Sequence, residues 1–97
     1  MKSFSEAVQL GVALCVEQAR RAHVGSIPHV SAALALRVAR KILRDDGVPN
    51  PPKTLLTPLY CAILDESQWE IVREDLLVES EENDRYQKAC ERGKLDV

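Results

Sequence analysis

The sequence predicts an all-α fold, a compact bundle of four to five helices, on three observations. Apolar residues recur with the 3.6-residue period over most of residues 1–78. Each periodic stretch is bounded by a capping residue, a glycine or a proline. Hydrophobic residues make up 45% of the chain and aromatic ones only 4%, so the core must come from Leu, Val, Ile and Ala, which suit helices lying close together. The 97 residues suffice for one domain with one modest core. Residues 1–78 are expected to form that helical domain, and 79–97 an acidic C-terminal segment, a short helix or tail packed on the same domain.

The first helix opens on Ser3-Phe4-Ser5-Glu6, a capping box in which Ser3 takes the Glu6 amide and Glu6 reaches back. It runs to about Ala22, with Val8, Val12, Cys15, Val16 and Ala19 on one face and Leu10 and Leu14 widening it. Glu17 faces Arg20 and Arg21 at i+3 and i+4, a weakly stabilising arrangement. A turn spans His23 to Pro28, punctuated by Gly25.

A second helix starts near Pro28 or His29 and runs to about Asp45, with Leu34, Val38 and Ile42 as its stripe and Ala35, Ala39 and Leu43 alongside. Arg37, Arg40, Lys41 and Arg44 crowd its C-terminal half, where cations complement the helix dipole, and Gly47 is a good stop. Residues 47–53 contain Pro49, Pro51 and Pro52 and read as an extended connection. Thr57-Pro58 then offers an N-cap and first position for a short third helix to about Asp65. Ser67-Gln68-Trp69-Glu70 is a second capping box, opening a fourth helix to about Val78. Trp69, Val72 and Leu76 form its expected apolar stripe, with Ile71 and Leu77 beside it. A strand is the alternative near Val78, because Trp69, Ile71 and Arg73 also alternate. The acidic run from Glu79 to Asp84 begins either a solvated helix or a loose tail. Tyr86, Ala89 and Cys90 give that last segment a thin apolar face, and Gly93 ends it.

Composition narrows the function classes. No stretch approaches the roughly 20 unbroken apolar residues of a membrane span, and Glu6 and Gln9 interrupt any apolar leader at once, so a cytoplasmic protein without membrane contact is expected. The three cysteines, Cys15, Cys61 and Cys90, are odd in number and lack C-x-x-C spacing, which excludes a disulfide framework or zinc ribbon and favours small buried hydrophobes. Net charge is −2 but unevenly spread. Residues 1–53 carry 8 Lys/Arg against 4 Asp/Glu, and residues 54–97 carry 5 against 11. Such polarity can guide association between copies or with a charged partner. No glycine-rich phosphate loop and no Ser-His-Asp set can be named. Asp65 and Glu66 have acid–base chemistry available but no placed nucleophile beside them.

Two segments carry a resemblance. Residues 15–32 include Cys15, Gln18, Arg20, Arg21, Ile27, Pro28, His29 and Val30, and residues 58–67 read Pro-Leu-Tyr-Cys-Ala-Ile-Leu-Asp-Glu-Ser. In order and spacing these resemble the HD-domain metal-dependent phosphohydrolases, especially the branch that hydrolyses guanosine tetraphosphate. That branch runs H-x-x-Q-x-R-K, then P-Y-I-x-H-P, then L-L-H-D-x-V-E-D-T. Gln18, Arg20 and Arg21 match the first pattern, and Asp65-Glu66 stands where Glu-Asp would come in the last, with the order reversed. The resemblance places Cys15, Ala32, Cys61 and Ala62 at the metal-ligand positions, and Ala offers no donor to a divalent cation. Pro58 falls inside what the family keeps as a continuous helix, and the chain ends before the family's later Asp ligand. A second likeness is shorter. Phe4-Ser5-Glu6 with Glu17-Gln18-Ala19-Arg20-Arg21 is similar to the opening helix of the Clp ATPase N-terminal domain, and it dissolves after Ile27.

The resemblance implies a degenerate HD-like scaffold without metal or other cofactor: a non-enzymatic regulatory or protein-interaction domain whose partner is another protein or a second copy. The expected binding residues are Arg20 and Arg21, which stand where the family holds phosphate, and Arg37, Arg40, Lys41 and Arg44. A metal-dependent nucleotide hydrolase or sensor with a remnant site is the alternative, with a nucleotide as partner. Nucleic-acid binding through the basic second helix is a lesser one, disfavoured by the acidic balance and the lack of interleaved aromatics.

Overall fold

Three helices account for the fold, rather than four or five: α1 (Phe4–Ala22), α2 (Ala32–Asp45) and α3 (Lys53–Leu95), with no strand among the described residues. The computed structural model describes the backbone of residues 2–95, and side chains through Leu77 and at Glu81, Asp84, Arg85, Gln87 and Lys88 beyond it. The apolar face expected of Tyr86, Ala89 and Cys90 lies outside the described side chains.

α1 has the expected limits. Ser3 Oγ accepts from the Glu6 N–H at 3.2 Å, and the His23 N–H closes the other end on the Arg20 carbonyl at 3.3 Å. α2 begins later than Pro28 or His29, because Ser31 is the residue that supplies a capping oxygen. Its Oγ accepts from the Leu34 N–H at 3.1 Å, and the chain before it is extended. The Gly47 stop is a Schellman arrangement: Gly47 N–H donates to the Arg44 carbonyl at 3.0 Å and Val48 N–H to the Leu43 carbonyl at 2.9 Å. Gly47 sits at φ 92°, a left-handed conformation that costs other residues strain.

α3 replaces the expected third and fourth helices with one element of 43 residues that also carries residues 79–95, past the expected stop at Gly93. It starts at Lys53, where the Pro52 carbonyl accepts from the Leu55 and Leu56 amides, both at 3.0 Å. Pro58 is interior to the helix, not its first residue. Its missing N–H leaves the Thr54 carbonyl without a helical donor, which is tolerated because both residues face water. Ser67 does not cap a new helix either; it is fully buried in the middle of this one. One apolar face runs through both apparent start signals: Leu56, Leu59, Ile63, Ser67 and Ile71 are all buried at spacings of three and four. That continuous register, covered by α1 and α2, holds the two segments in a single helix.

The outline is a rod, not a compact bundle. At about 1.5 Å per residue α3 is about 64 Å long, close to the 69 Å long axis of the molecule, whose other extents are 26 and 17 Å. The radius of gyration is 19.1 Å, where a compact chain of this length would have about 12–13 Å. α1 and α2 cover only the first half of α3, and beyond Asp75 every described side chain is exposed.

Small residues let the helices approach. Ala7, Gly11, Cys15 and Ala19 repeat every fourth position on the buried face of α1, and Ala35 and Ala39 are fully buried on α2. At Gly11 all three helices meet. A Cβ added there would overlap the Ile63 side chain and stand 3.3 Å from Ile42 Cδ1.

Candidate functional site

The four residues that the resemblance sets at metal-ligand positions differ in burial. Cys15 is fully buried on α1, Cys61 is exposed on α3, Ala32 is exposed at the start of α2 and Ala62 is half-buried. The expectation that each cysteine is a core residue holds for Cys15 and fails for Cys61, because the face set by Leu59 and Ile63 turns position 61 outward. Among the described residues no three His, Cys, Asp or Glu side chains gather in a group able to hold a metal ion.

Cys15 and Ser67 meet inside the core. The Ser67 hydroxyl is buried with no hydrogen-bond partner of regular geometry, and its polar neighbour is the Cys15 thiol. Burial pushes that thiol up to about 11 from 9.0, with Ser67 acting weakly in the opposite direction. A thiol held protonated is a poor nucleophile and a poor metal ligand. In the folded chain an alkylating reagent should therefore modify Cys61 rapidly and spare Cys15 until denaturant is added, which peptide mapping after timed labelling would read. The sign of the pH effect is set by which state ionises first. The unfolded chain loses this proton before the folded one, so the stability Cys15 contributes is complete below pH 9.0 and is lost as pH rises through about 11.

Gln68 ties the α1–α2 loop to α3. Its Nε2 donates to the Val30 carbonyl at 2.5 Å and its Oε1 accepts from the Val30 N–H at 3.4 Å. Both bonds span 38 residues of sequence, so no local pattern announces them. Val30 is buried beneath this clamp, while Ile27 and His29 on the same loop are exposed.

The arginines of the expected phosphate site are engaged within the chain. Arg20 pairs with Glu74 on α3 and Arg21 with Glu17 one turn earlier at 2.7 Å. The cations of α2 are different. Arg37, Arg40, Lys41 and Arg44 stand at i, i+3, i+4 and i+7, an exposed stripe opposite buried Ala35 and Ala39. Arg40 and Arg44 also border a cleft of about 770 Å³ against the first turns of α3, with Pro49, Asn50, Lys53, Thr57 and Tyr60 on its other side. Lys53 and Tyr60 join this basic surface only through the fold, because the proline connection folds the start of α3 back onto α2.

The remaining feature is an apolar face on the wrong side of its helix. Trp69, Val72 and Leu76 are expected from the sequence to pack inward, and instead they are 65%, 45% and 58% exposed. At about 100° per residue they lie roughly opposite the Leu56–Ile63–Ile71 face. The inner face is fixed by Leu56, Leu59 and Ile63, which leaves the Trp69 stripe to point outward. α3 is thus apolar on two sides over its middle third, with α1 and α2 covering one.

No family model matches the chain, and comparisons with curated proteins and with solved structures return no match. No helix among the described residues is long and apolar enough to cross a membrane.

Proposed function

We propose that this chain is a non-catalytic protein-interaction domain whose contact surface is the outer face of α3. The observation that carries this reading is the exposure of Trp69, Val72 and Leu76 on one stripe, opposite the face that packs against the rest of the chain. A helix apolar on two sides has two neighbours in its working state, and α1 and α2 supply one. A tryptophan flanked by aliphatic side chains and rimmed by charge is also the composition of a binding hot spot. Ala32 and Ala62 offer no metal donor and the Cys15 thiol is buried, which supports a reading without metal-dependent activity. The HD-like ancestry of the scaffold rests on its two sequence segments alone, and the regulatory role it implies is the context in which such a surface would be used.

The test is a paired one. Trp69→Ala with Val72→Ala removes side chains that are largely exposed, so the melting transition should change little while association is lost. Complexes of the wild-type and variant chains would be compared by sedimentation velocity and by cross-linking mass spectrometry. A variant that keeps every complex formed by the wild type overturns the assignment of this surface.

A further inference from the structure

We propose that the cleft between α2 and the start of α3 binds single-stranded nucleic acid, with phosphates on its cations and a base against Tyr60. This site is separate from the outer face of α3. Lys53 and Tyr60 lie about 130–150° round the helix from the middle of the Trp69–Leu76 stripe.

The charge here is of one sign. Arg37 and Arg44 stand about 10 Å apart along α2, with Arg40 and Lys41 between them, and all four are exposed. Lys53 stands across the cleft of about 770 Å³ that Arg40 and Arg44 border. None of these cations pairs with a described carboxylate. No carboxylate lines the cleft, and one acid of α2, Asp45, borders the neighbouring groove with Arg37 and Lys41. Along α3 the positions in line with the cleft, from Thr57 and Tyr60 through Leu64, Ser67 and Ile71, carry no acid. A net charge of −2 therefore does not describe this surface.

The lining selects among anions. Arg37, Arg40 and Arg44 carry guanidinium groups, which fork onto phosphate oxygens. Asn50 and Thr57 add neutral donors of the kind that contact phosphate and sugar. Half-buried Tyr60 lines the same cleft and offers a ring on which a base can stack, a feature that an acidic protein segment would leave unused. A duplex keeps its bases inside the stack, whereas a single strand presents phosphate and base together. The basic helix reads as lacking an aromatic neighbour because Tyr60 belongs to a different helix, and only the fold brings it to the cations.

Fluorescence anisotropy with labelled oligothymidylate and oligouridylate of about 12 nucleotides is expected to give a Kd on the order of 10 μM at about 50 mM salt. The logarithm of the binding constant should fall against that of salt with a slope of about −3, from four to five phosphates at about 0.7 each. Arg40→Ala with Arg44→Ala should make that slope shallower by about 1.4. Tyr60→Leu should weaken binding about tenfold at an unchanged slope, and Tyr60→Phe, which keeps the ring, should bind as the wild type does. Arg73→Glu is the control for net charge. It alters the charge by as much as the double arginine variant but lies on an exposed part of α3 away from the cleft, so affinity should change by no more than about twofold. No binding at low salt up to about 1 mM oligonucleotide overturns the proposal. An equal loss from Arg73→Glu overturns it too, because net charge alone would then account for the effect. So does equal or tighter binding of a polyglutamate peptide or of phosphatidylserine vesicles, which would assign the cleft to an acidic protein or to a membrane surface.

Discussion

Gly11→Val is expected to destabilise the fold by about 2–4 kcal/mol, the largest loss from any single substitution on α1, measured by urea unfolding at fixed protein concentration. The reason is where the glycine stands. Three helices converge on Gly11, and a Cβ there runs into Ile63, which has no exposed surface into which to swing. Ile42 sits on the other side at 3.3 Å from the same point and is also buried. Relief therefore requires α1 to move away from α3, which opens the contacts of Val12 and Cys15 as well. Gly11→Ala is the sensitive control. Its gain in helix propensity, about 1 kcal/mol, opposes an overpacking cost of about 1–3 kcal/mol, so a smaller net loss is expected. Ile63→Ala combined with Gly11→Ala should be less damaging than the sum of the two single changes, because it removes both Cγ1 and Cδ1, the two atoms that a Cβ at residue 11 would meet. Additive effects in that cycle would mean the two residues do not meet as described.

The Gly11–Ile63 meeting joins residues far apart in the chain, and distance of that kind divides what is legible in the sequence from what is not. Where the determinants are local, sequence and structure agree. Ser3 caps α1, Ala22 ends it, Glu17 reaches Arg21, and Gly47 stops α2 through a left-handed turn. The disagreements occur where a local signal competes with burial further along the chain. Thr57-Pro58 and Ser67-x-x-Glu70 both have the form of helix starts, yet the run of Leu56, Leu59, Ile63, Ser67 and Ile71 keeps one face of α3 against α1 and α2 through both. The spacing of those five residues is present in the sequence and is a better guide than either capping pattern. Trp69 misleads for a related reason. An apolar stripe is ordinarily the inward one, and only knowledge that Ile63 and Ile71 already occupy that side turns Trp69 into a surface residue. Lys53, Tyr60 and the Gln68 clamp belong to a third class. They act across elements distant in sequence, and no periodicity encodes such a meeting.

Gln68→Ala is expected to cost about 1.5–3 kcal/mol, because it strips a donor and an acceptor from Val30 at once and leaves both backbone groups half out of water. The effect should be local before it is global. Hydrogen exchange at the Val30 amide should accelerate, and proteolysis near the exposed Val24-Gly25 turn should become detectable under conditions where α1 and α2 stay helical. Gln68→Glu separates the clamp from mere packing, since it keeps the size of the side chain and changes only its donor. A carboxylate can still accept from the Val30 N–H but turns a negative oxygen toward the Val30 carbonyl. A protonated carboxyl can donate to that carbonyl as the amide did. The folded state therefore holds the proton more tightly than the unfolded chain, raising the carboxyl above its usual value of about 4.3. Linkage gives the sign: relative to wild type, Gln68→Glu should be nearly as stable at or below that pH and should lose stability as pH rises toward neutrality. A variant equally destabilised at both ends of this range would show that Gln68 fills space without bonding the loop. The clamp matters for the proposed interface because Gln68 adjoins Trp69 on α3. Loosening it should leave the Trp69 stripe apolar but free the α1–α2 loop that Gln68 holds, so that folding stability falls while the affinity of the remaining folded chains for a partner at that face changes little.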